Sequence, residues 1–285
     1  MIETALFGII ALVSFGLNDY WGPLVSRKIG AFETSALSRF FAVVVFFAIF
    51  LLLFFQVPSI SGYVIALLLA TATVELIGTV AFYKGAKMGQ IAIITPIANT
   101  SSIVTVALGL IFLSFPLTSL EYVSMGMIIL GTLLATFKLK DIKKLKLNRL
   151  AVGAELGFLA MACWGTGLFL QILLVEQIGW FLPGLLVSVV MLIYFAIYYK
   201  ASKVKYVAPK SEWLVLFLVG LTVVVGLLAY NFGVTGTDPL IVAPILAAAP
   251  ALTVVLALVR LKEKIDPNNM FGIALIVLGL VMLAL

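Results

Sequence analysis

Two carboxylate side chains lie inside long apolar segments of this 285-residue chain, where a charged group is unexpected. Asp19 lies in the stretch FGLNDYWGP, and Glu75 lies in TATVELIGTV. A carboxylate at mid-bilayer costs at least about 2.5–3.5 kcal/mol, so it normally faces a cavity or a partner. We therefore predict that Asp19 and Glu75 bind a proton, a sodium ion or a substrate amine. The alternative is a structural role, as a partner of Arg39 or of the backbone that Pro23 leaves unpaired.

A group of hydroxyl and amide side chains surrounds a proline in TPIANTSS (95–102). A proline removes one helical hydrogen bond, and Thr95, Asn99 and Ser102 could then face a cavity at helical spacing. The same side chains could instead hold neighbouring helices together, as small polar residues do in membranes. The related stretch APILAAAP (243–250) keeps the proline and loses the hydroxyls and the amide. The predicted hinges or helix breaks are Pro23, Pro96, Pro244 and Pro250.

Aromatic and amide side chains supply the remaining candidate contacts to a substrate. Trp164 could stack on a substrate, although packing in the core is an equal alternative. Arg39 and Lys84 could bind a substrate carboxylate, and snorkelling to the membrane interface is the favoured alternative for both. The full set of predicted substrate-binding residues is Asn18, Tyr20, Trp21, Thr95, Asn99, Ser102, Trp164, Gln171, Tyr230 and Asn231.

The composition places these residues in a membrane protein. Hydrophobic residues make up 64% of the chain and charged residues 11%, against about half and about a quarter in soluble domains. The chain has no histidine and one cysteine, Cys163, so histidine-based catalysis and histidine or cysteine metal clusters are excluded. We expect no metal and no cofactor. The basic residues form no folded basic face, and we expect no nucleic-acid partner.

Turn residues and charges divide the chain into ten predicted transmembrane helices. The first apolar run lacks a basic leader and a cleavage site, so we expect a first span and not a signal peptide. All 18 lysines and arginines fall in or beside the odd-numbered connectors. The positive-inside rule therefore predicts that these connectors are cytoplasmic and that both termini lie outside the cell membrane. The predicted spans are about 3–25, 32–55, 60–83, 88–113, 119–138, 150–173, 181–199, 211–232, 239–260 and 267–285.

The two halves of the chain align with each other. A shift of 148 residues places AFYKGAKMGQIAIITPIA (81–98) on AYNFGVTGTDPLIVAPIL (229–246), with a glycine and a proline in register. Five spans per half is an odd number, so the second half must enter the membrane inverted. Inverted repeats are typical of secondary transporters, whose substrate site lies near the midplane between the halves. The predicted domains are a first repeat over 1–138, a basic cytoplasmic connector over 139–149, and a second repeat over 150–285.

Several short motifs resemble the EamA-like family of the drug/metabolite transporter superfamily. They are FG (15–16) and WG (164–165), SRFF (38–41), and the segments AFYKGAKMG and AYNFGVTGT. The resemblance implies a basket of ten helices around a central cavity, which moves small metabolites such as amino acids by alternating access. The chain departs from the family in LSFPLTSLE (113–121), where many relatives carry an acidic–basic motif.

The sequence thus predicts an all-α polytopic membrane protein with ten transmembrane helices in two inverted five-helix repeats around a central cavity. We predict a secondary transporter for a small organic metabolite and not an enzyme, with the bilayer, the substrate and H⁺ or Na⁺ as partners, as a monomer or homodimer. A passive channel, a facilitator or a lipid-handling protein is the alternative. An intramembrane aspartyl protease is remote, because the second aspartate, Asp238, precedes Pro239 at a predicted helix start and is typical of an N-cap.

Overall fold

The computed structural model describes residues 2–53, 58–88, 94, 97–113, 118–136, 147–202, 210–235, 242–248 and 267–283. Within these ranges all regular secondary structure is helical. A short 3₁₀ turn, Lys210–Glu212, leads into α8. The helices are α1 Ile2–Ile29, α2 Ala31–Leu53, α3 Gly62–Met88, α4 Ser101–Phe112, α5 Ser119–Thr136, α6 Leu147–Ile178, α7 Leu182–Ser202, α8 Trp213–Gly233, α9 Val242–Ala247 and α10 Pro267–Leu283.

Six of the described segments are long and apolar enough to cross a bilayer. They lie in α1, α2, α3, α6, α7 and α8, while α4, α5 and α10 contain shorter apolar stretches. The predicted count of ten spans stays a prediction, because much of the ninth predicted span and of the 139–149 connector lies outside the described residues.

Two of the helices end at glycines with left-handed backbone. Gly30 has φ 107° and follows α1, and Gly179 has φ 77° and follows α6. A glycine in this conformation is a common C-terminal stop of a helix, since it lacks a Cβ. Both helices run past the ends predicted from the charges, so Arg27 and Lys28 lie in the last turn of α1 and not in a connector. The glycines, and not the charges, set these boundaries.

The helix contacts repeat when the two halves are exchanged. α1 packs along α8, and α3 packs along α6. Exchanging α1 with α6 and α3 with α8 turns one of these pairs into the other. Under the same exchange α5 and α10 take each other's place, so the contact between them is preserved. The α1–α9 contact corresponds to the α4–α6 contact, and both are present. The two halves therefore meet through the same kinds of helix crossing.

Matching glycines make these crossings close. A Cβ at Gly78 would lie 2.8 Å from Trp164 Cδ1, and a Cβ at Gly226 would lie 2.8 Å from Phe15 Cε1. These four residues correspond under the shift of 148 or 149 residues. Small residues of this kind let membrane helices approach closely. Each aromatic ring sits over a glycine of the partner half and is thereby fixed between α1, α3, α6 and α8.

The α5–α10 crossing offers a direct test of this packing. A Cβ at Gly131 would lie 2.7 Å from the Gly272 carbonyl oxygen, whereas a Cβ at Gly126 on the same helix meets no atom within 4 Å. Overpacking of a tight contact costs about 1–3 kcal/mol. Gly131→Leu should therefore lower the melting temperature of the purified protein in detergent. Gly126→Leu is the matched control and should leave it unchanged, and equal losses in both variants would contradict the crossing.

Candidate functional site

A central cavity of about 900 Å³, part of it open to solvent, lies between the two halves. Among the described residues, its polar lining comes from the first half of the chain: Asn18, Asp19, Ser35, Ser38, Arg39, Glu75, Thr79, Tyr83, Asn99, Ser101 and Ser102. Its apolar lining comes mainly from the second half: Phe15, Trp164, Leu168, Met191, Val223, Leu227 and Leu246. The cavity therefore has one polar wall and one apolar wall.

The two walls use related positions of the two halves. Under the shift of 148 or 149 residues, Asp19 corresponds to Leu168 and Glu75 corresponds to Val223. All four line the cavity. The repeated fold thus supplies the same positions to both walls, and at these positions the first half has ionisable groups where the second half has Leu168 and Val223.

Asp19 is held on the polar wall by α1. Its side chain is 7% exposed, and the amide of Asn99 lies within reach of its carboxyl group. In an unbroken helix the Asp19 carbonyl would accept a hydrogen bond from the backbone N–H of residue 23. Pro23 has no backbone N–H, so this hydrogen bond is missing. α1 nevertheless continues through Pro23, where the Ser26 hydroxyl donates to the Pro23 carbonyl at 3.0 Å. The predicted break at Pro23 is therefore absent from this structure, and its role as a hinge stays a prediction.

Asn18 ties the same stretch of α1 to α8. Its Nδ2 donates to the Val219 carbonyl at 3.1 Å and lies 3.4 Å from Thr222 Oγ1. Both amide hydrogens are used in this way, which leaves the amide oxygen as the group that Asn18 can offer to a ligand.

Arg39 lies in the cavity wall and does not snorkel. Its side chain is 7% exposed, and Nη1 donates to Ser188 Oγ at 3.2 Å on α7. The favoured sequence interpretation of Arg39 was therefore wrong. α2 turns the face that carries Ser35, Ser38 and Arg39 inward, away from the lipid. Lys84, the other candidate, is exposed at the end of α3.

Arg39 and Glu75 attract each other across the cavity without touching. They interact electrostatically. Within the described part of the chain, the ion pair closer than 4 Å is Lys28–Glu212, at 2.8 Å. Opposite charges held apart in a site of low dielectric exert a strong field on whatever lies between them. The cavity therefore presents a cation and two carboxylates that are open to a ligand.

Trp164 borders the polar and the apolar walls. Its Nε1 lies 3.4 Å from Thr79 Oγ1 as a donor, and its ring centroid lies 4.9 Å from that of Phe82. The Thr105 hydroxyl donates to the Gly165 carbonyl at 2.9 Å and so fixes α4 against α6. This contact holds Ser102 beside the indole in the lining of the cavity.

Several predicted binding residues lie elsewhere. Tyr20 is 45% exposed on the outside of α1, and Trp21 is half-buried outside the cavity lining. Gln171, Tyr230 and Asn231 are buried beyond the cavity.

Two of these buried residues make hydrogen bonds to the backbone. The Tyr230 hydroxyl donates to the Leu168 carbonyl at 3.0 Å, and Asn231 Nδ2 donates to the Trp180 carbonyl at 2.9 Å. Pro244 lies within α9. Thr95, Pro96, Asp238 and Pro250 lie outside the described residues.

The structure adds lining residues that sequence reasoning missed. Ser35 and Ser38 stand one helical turn apart on the face of α2 that also carries Arg39, and that spacing was a usable signal. Thr79 and Tyr83 follow Glu75 at the same spacing on α3. A polar stripe on an otherwise apolar helix could have identified both sets.

Comparisons with known proteins agree with this architecture. The EamA-like transporter family model matches residues 3–137 and again residues 151–285. An uncharacterized protein of Methanocaldococcus jannaschii is 27% identical over 134 residues, which cover 47% of this chain and 96% of that protein. That relative therefore has about the length of one matched segment.

A crystal structure of another protein shares the fold. It superposes with a TM-score of 0.72 at 16% identity, covering 99% of this chain and 96% of that one. The two matched segments of the family model together cover most of the sequence. This chain is an integral membrane protein that belongs to the EamA-like transporter family.

Proposed function

We propose that the protein is a secondary transporter that moves a small amino-acid-like zwitterion across the cell membrane by alternating access. The observation that carries this proposal is the separation of charges in the cavity. Arg39 stands without a carboxylate in direct contact, and Asp19 and Glu75 line the same space. Buried charges are costly unless they are paired. A zwitterion supplies both missing partners at once.

The polar wall fits the charged end of such a solute. A solute carboxylate can accept hydrogen bonds from the Arg39 guanidinium, and a solute ammonium can donate to Asp19 or Glu75. Charge-assisted hydrogen bonds are roughly twice as strong as neutral ones. The hydroxyls of Ser38, Thr79 and Tyr83 add uncharged contacts on the same wall.

The apolar wall fits the side chain of the solute. Leu168, Val223 and Leu227 present aliphatic surface opposite the charges, and Trp164 presents an aromatic ring. These features support a solute with one charged end and one apolar end.

The cavity is lined by polar groups toward one end of the bundle, and the other end is apolar and closed. Alternating access requires such a difference between the two ends. The polar lining runs from Asp19 and Glu75 toward Tyr83, near the helix ends that carry Arg27 and Lys87. The opposite end is filled by apolar side chains and closed by the Asn231–Trp180 hydrogen bond. Inverted repeats can exchange their conformations and so move the opening from one end to the other. The positive-inside rule favours a cytoplasmic location for the basic end, and we propose that this structure is the inward-facing state.

Solute recognition can be tested at Arg39. Hydrogen bonds to charged groups contribute about 1.5–3 kcal/mol, so Arg39→Gln should weaken binding of amino acids about tenfold or more. The corresponding amines, which lack the carboxylate, should be unaffected. Ligand-dependent thermal shifts of the purified protein over a range of concentrations measure both affinities.

The control for this experiment is Glu176→Gln, which neutralises an exposed carboxylate on α6. It should bind amino acids like the wild type. A loss of equal size for amino acids and amines in Arg39→Gln would contradict a carboxylate contact to Arg39.

Ion coupling can be tested at the two carboxylates. We propose that Asp19 and Glu75 carry a proton or a sodium ion with the solute. Asp19→Asn and Glu75→Gln should then abolish uptake driven by an ion gradient while solute exchange across the membrane continues. Proteoliposomes with an imposed pH gradient or an imposed sodium gradient separate the two ions.

The same vesicles test the class of protein. Gradient-driven accumulation that is unchanged in both variants would remove the coupling role. Unsaturable flux without counterflow in the wild type would indicate a channel and overturn the transporter proposal.

A further inference from the structure

We propose that Gln171 and Asn231 form a second solute site, which opens at the opposite end of the bundle when the cavity closes at the basic end. This inference rests on the proposed transport function. The site recognises the same zwitterion with uncharged amide groups, through one hydrogen-bond donor and one acceptor.

Both amides carry an unused polar atom in the interior. Gln171 is 3% exposed and Asn231 is fully buried. Gln171 Nε2, a donor, and Asn231 Oδ1, an acceptor, have no hydrogen-bond partner among the residues that the structure describes. A buried polar group without a partner destabilises the fold. A pair of such groups, one donor and one acceptor, is what a polar ligand would satisfy.

The correspondence between the halves gives these two residues a pair of related positions in the first half. Gln171 corresponds to Gly22 and Asn231 corresponds to Tyr83 under the shift of 148 or 149 residues. In the first half those positions are in contact, because a Cβ at Gly22 would lie 2.5 Å from Tyr83 Oη. Tyr83 lines the open cavity. Gln171 and Asn231 thus occupy the equivalent places at the opposite end.

The interactions that close this end join elements that exchange of the halves would move. Asn231 Nδ2 donates to the Trp180 carbonyl at 2.9 Å, and the Phe7 and Phe232 ring centroids lie 4.5 Å apart. Ile172 and Val175 pack around them from α6. Opening of this end would bring the amides into the lining of the transport path, as Tyr83 lines the cavity at the other end.

The chemistry of the second site differs from that of the first. The Gln171 amide can donate to a solute carboxylate, and the Asn231 oxygen can accept from a solute ammonium. Neutral hydrogen bonds are weaker than those made with Arg39 and the two carboxylates. The solute should therefore be held about 10- to 100-fold more weakly from this side, which follows from the loss of two charge-assisted contacts. The asymmetry would favour release there.

Cysteine labelling tests accessibility without any transport assay. In a Cys163→Ser background, Gln171→Cys, Tyr83→Cys and the control Ile172→Cys are exposed to a membrane-impermeant maleimide from each side of the membrane. Tyr83→Cys should react from the side of the basic connectors. Gln171→Cys should react from the other side, about 10- to 1,000-fold more slowly, because a minor conformation is populated at about 0.1–10%. Ile172→Cys, its neighbour in the apolar cluster, should not react.

The outcomes separate the inference from the proposed function. No reaction at Gln171→Cys from the second side, or reaction from the same side as Tyr83→Cys, would overturn the second site. Uptake by Cys163→Ser vesicles reports independently whether the protein transports amino acids. Slowing of Gln171→Cys labelling by added amino acid would show that the solute, and not water alone, occupies the site.

Gln171→Leu provides a second measurement. If the amide serves the fold alone, its replacement by an apolar side chain should leave the half-saturation constant unchanged from both sides. If it binds solute, the variant should melt at a higher temperature and its half-saturation constant should rise about tenfold from the second side only. Oriented proteoliposomes measure this difference, and an equal change from both sides would contradict the proposal.

Discussion

Ionisable groups inside a lipid-embedded bundle are the constraint on which the rest of this structure depends. Asp19 and Arg39 are buried on α1 and α2, Glu75 is half-buried on α3, and all three line the cavity. Lipid provides no hydrogen bonds, so such groups persist only around an internal polar space. The three helices must therefore turn these faces toward one another, and the cavity follows from that arrangement. The described residues of the second half complete the wall with apolar surface.

The close crossings of the halves determine where that cavity can lie. Gly78 and Gly226 allow Trp164 and Phe15 to cross between the halves. Both rings line the cavity, and both are fixed against the backbone of the opposite half. A larger residue at either glycine would push α3 from α6 or α8 from α1, and would change the distance between the polar and apolar walls. Packing at a small residue thus sets the dimensions of the binding space.

The sequence predicted the cavity position better than it predicted the faces of the helices. Asn18, Asp19, Glu75, Asn99, Ser102 and Trp164 line the cavity, because a polar group within an apolar span signals an interior location by itself. Arg39 was misassigned, since a basic residue near a helix end can either snorkel or turn inward, and only the contact of α2 with α7 decides between them. Tyr230 and Asn231 were predicted to bind the substrate, but they lie beyond the cavity, toward the closed end of the bundle. The sequence repeat does not reveal which end of the bundle is closed.

Duplication and divergence have separate consequences in this molecule. A relative of about half the length matches one segment of the chain, so a single unit of this kind exists as a protein of its own. Two related units give equivalent positions at both ends of the bundle, as Tyr83 and Asn231 illustrate. Equivalent residues would bind a solute equally at both ends and would give no preference for either side. The replacement of charged positions by Leu168 and Val223, and of Gly22 and Tyr83 by two amides, makes the ends unequal. The repeated fold therefore supplies the equivalent positions that the proposed exchange needs, and the proposed difference in solute binding would depend on where the two copies differ.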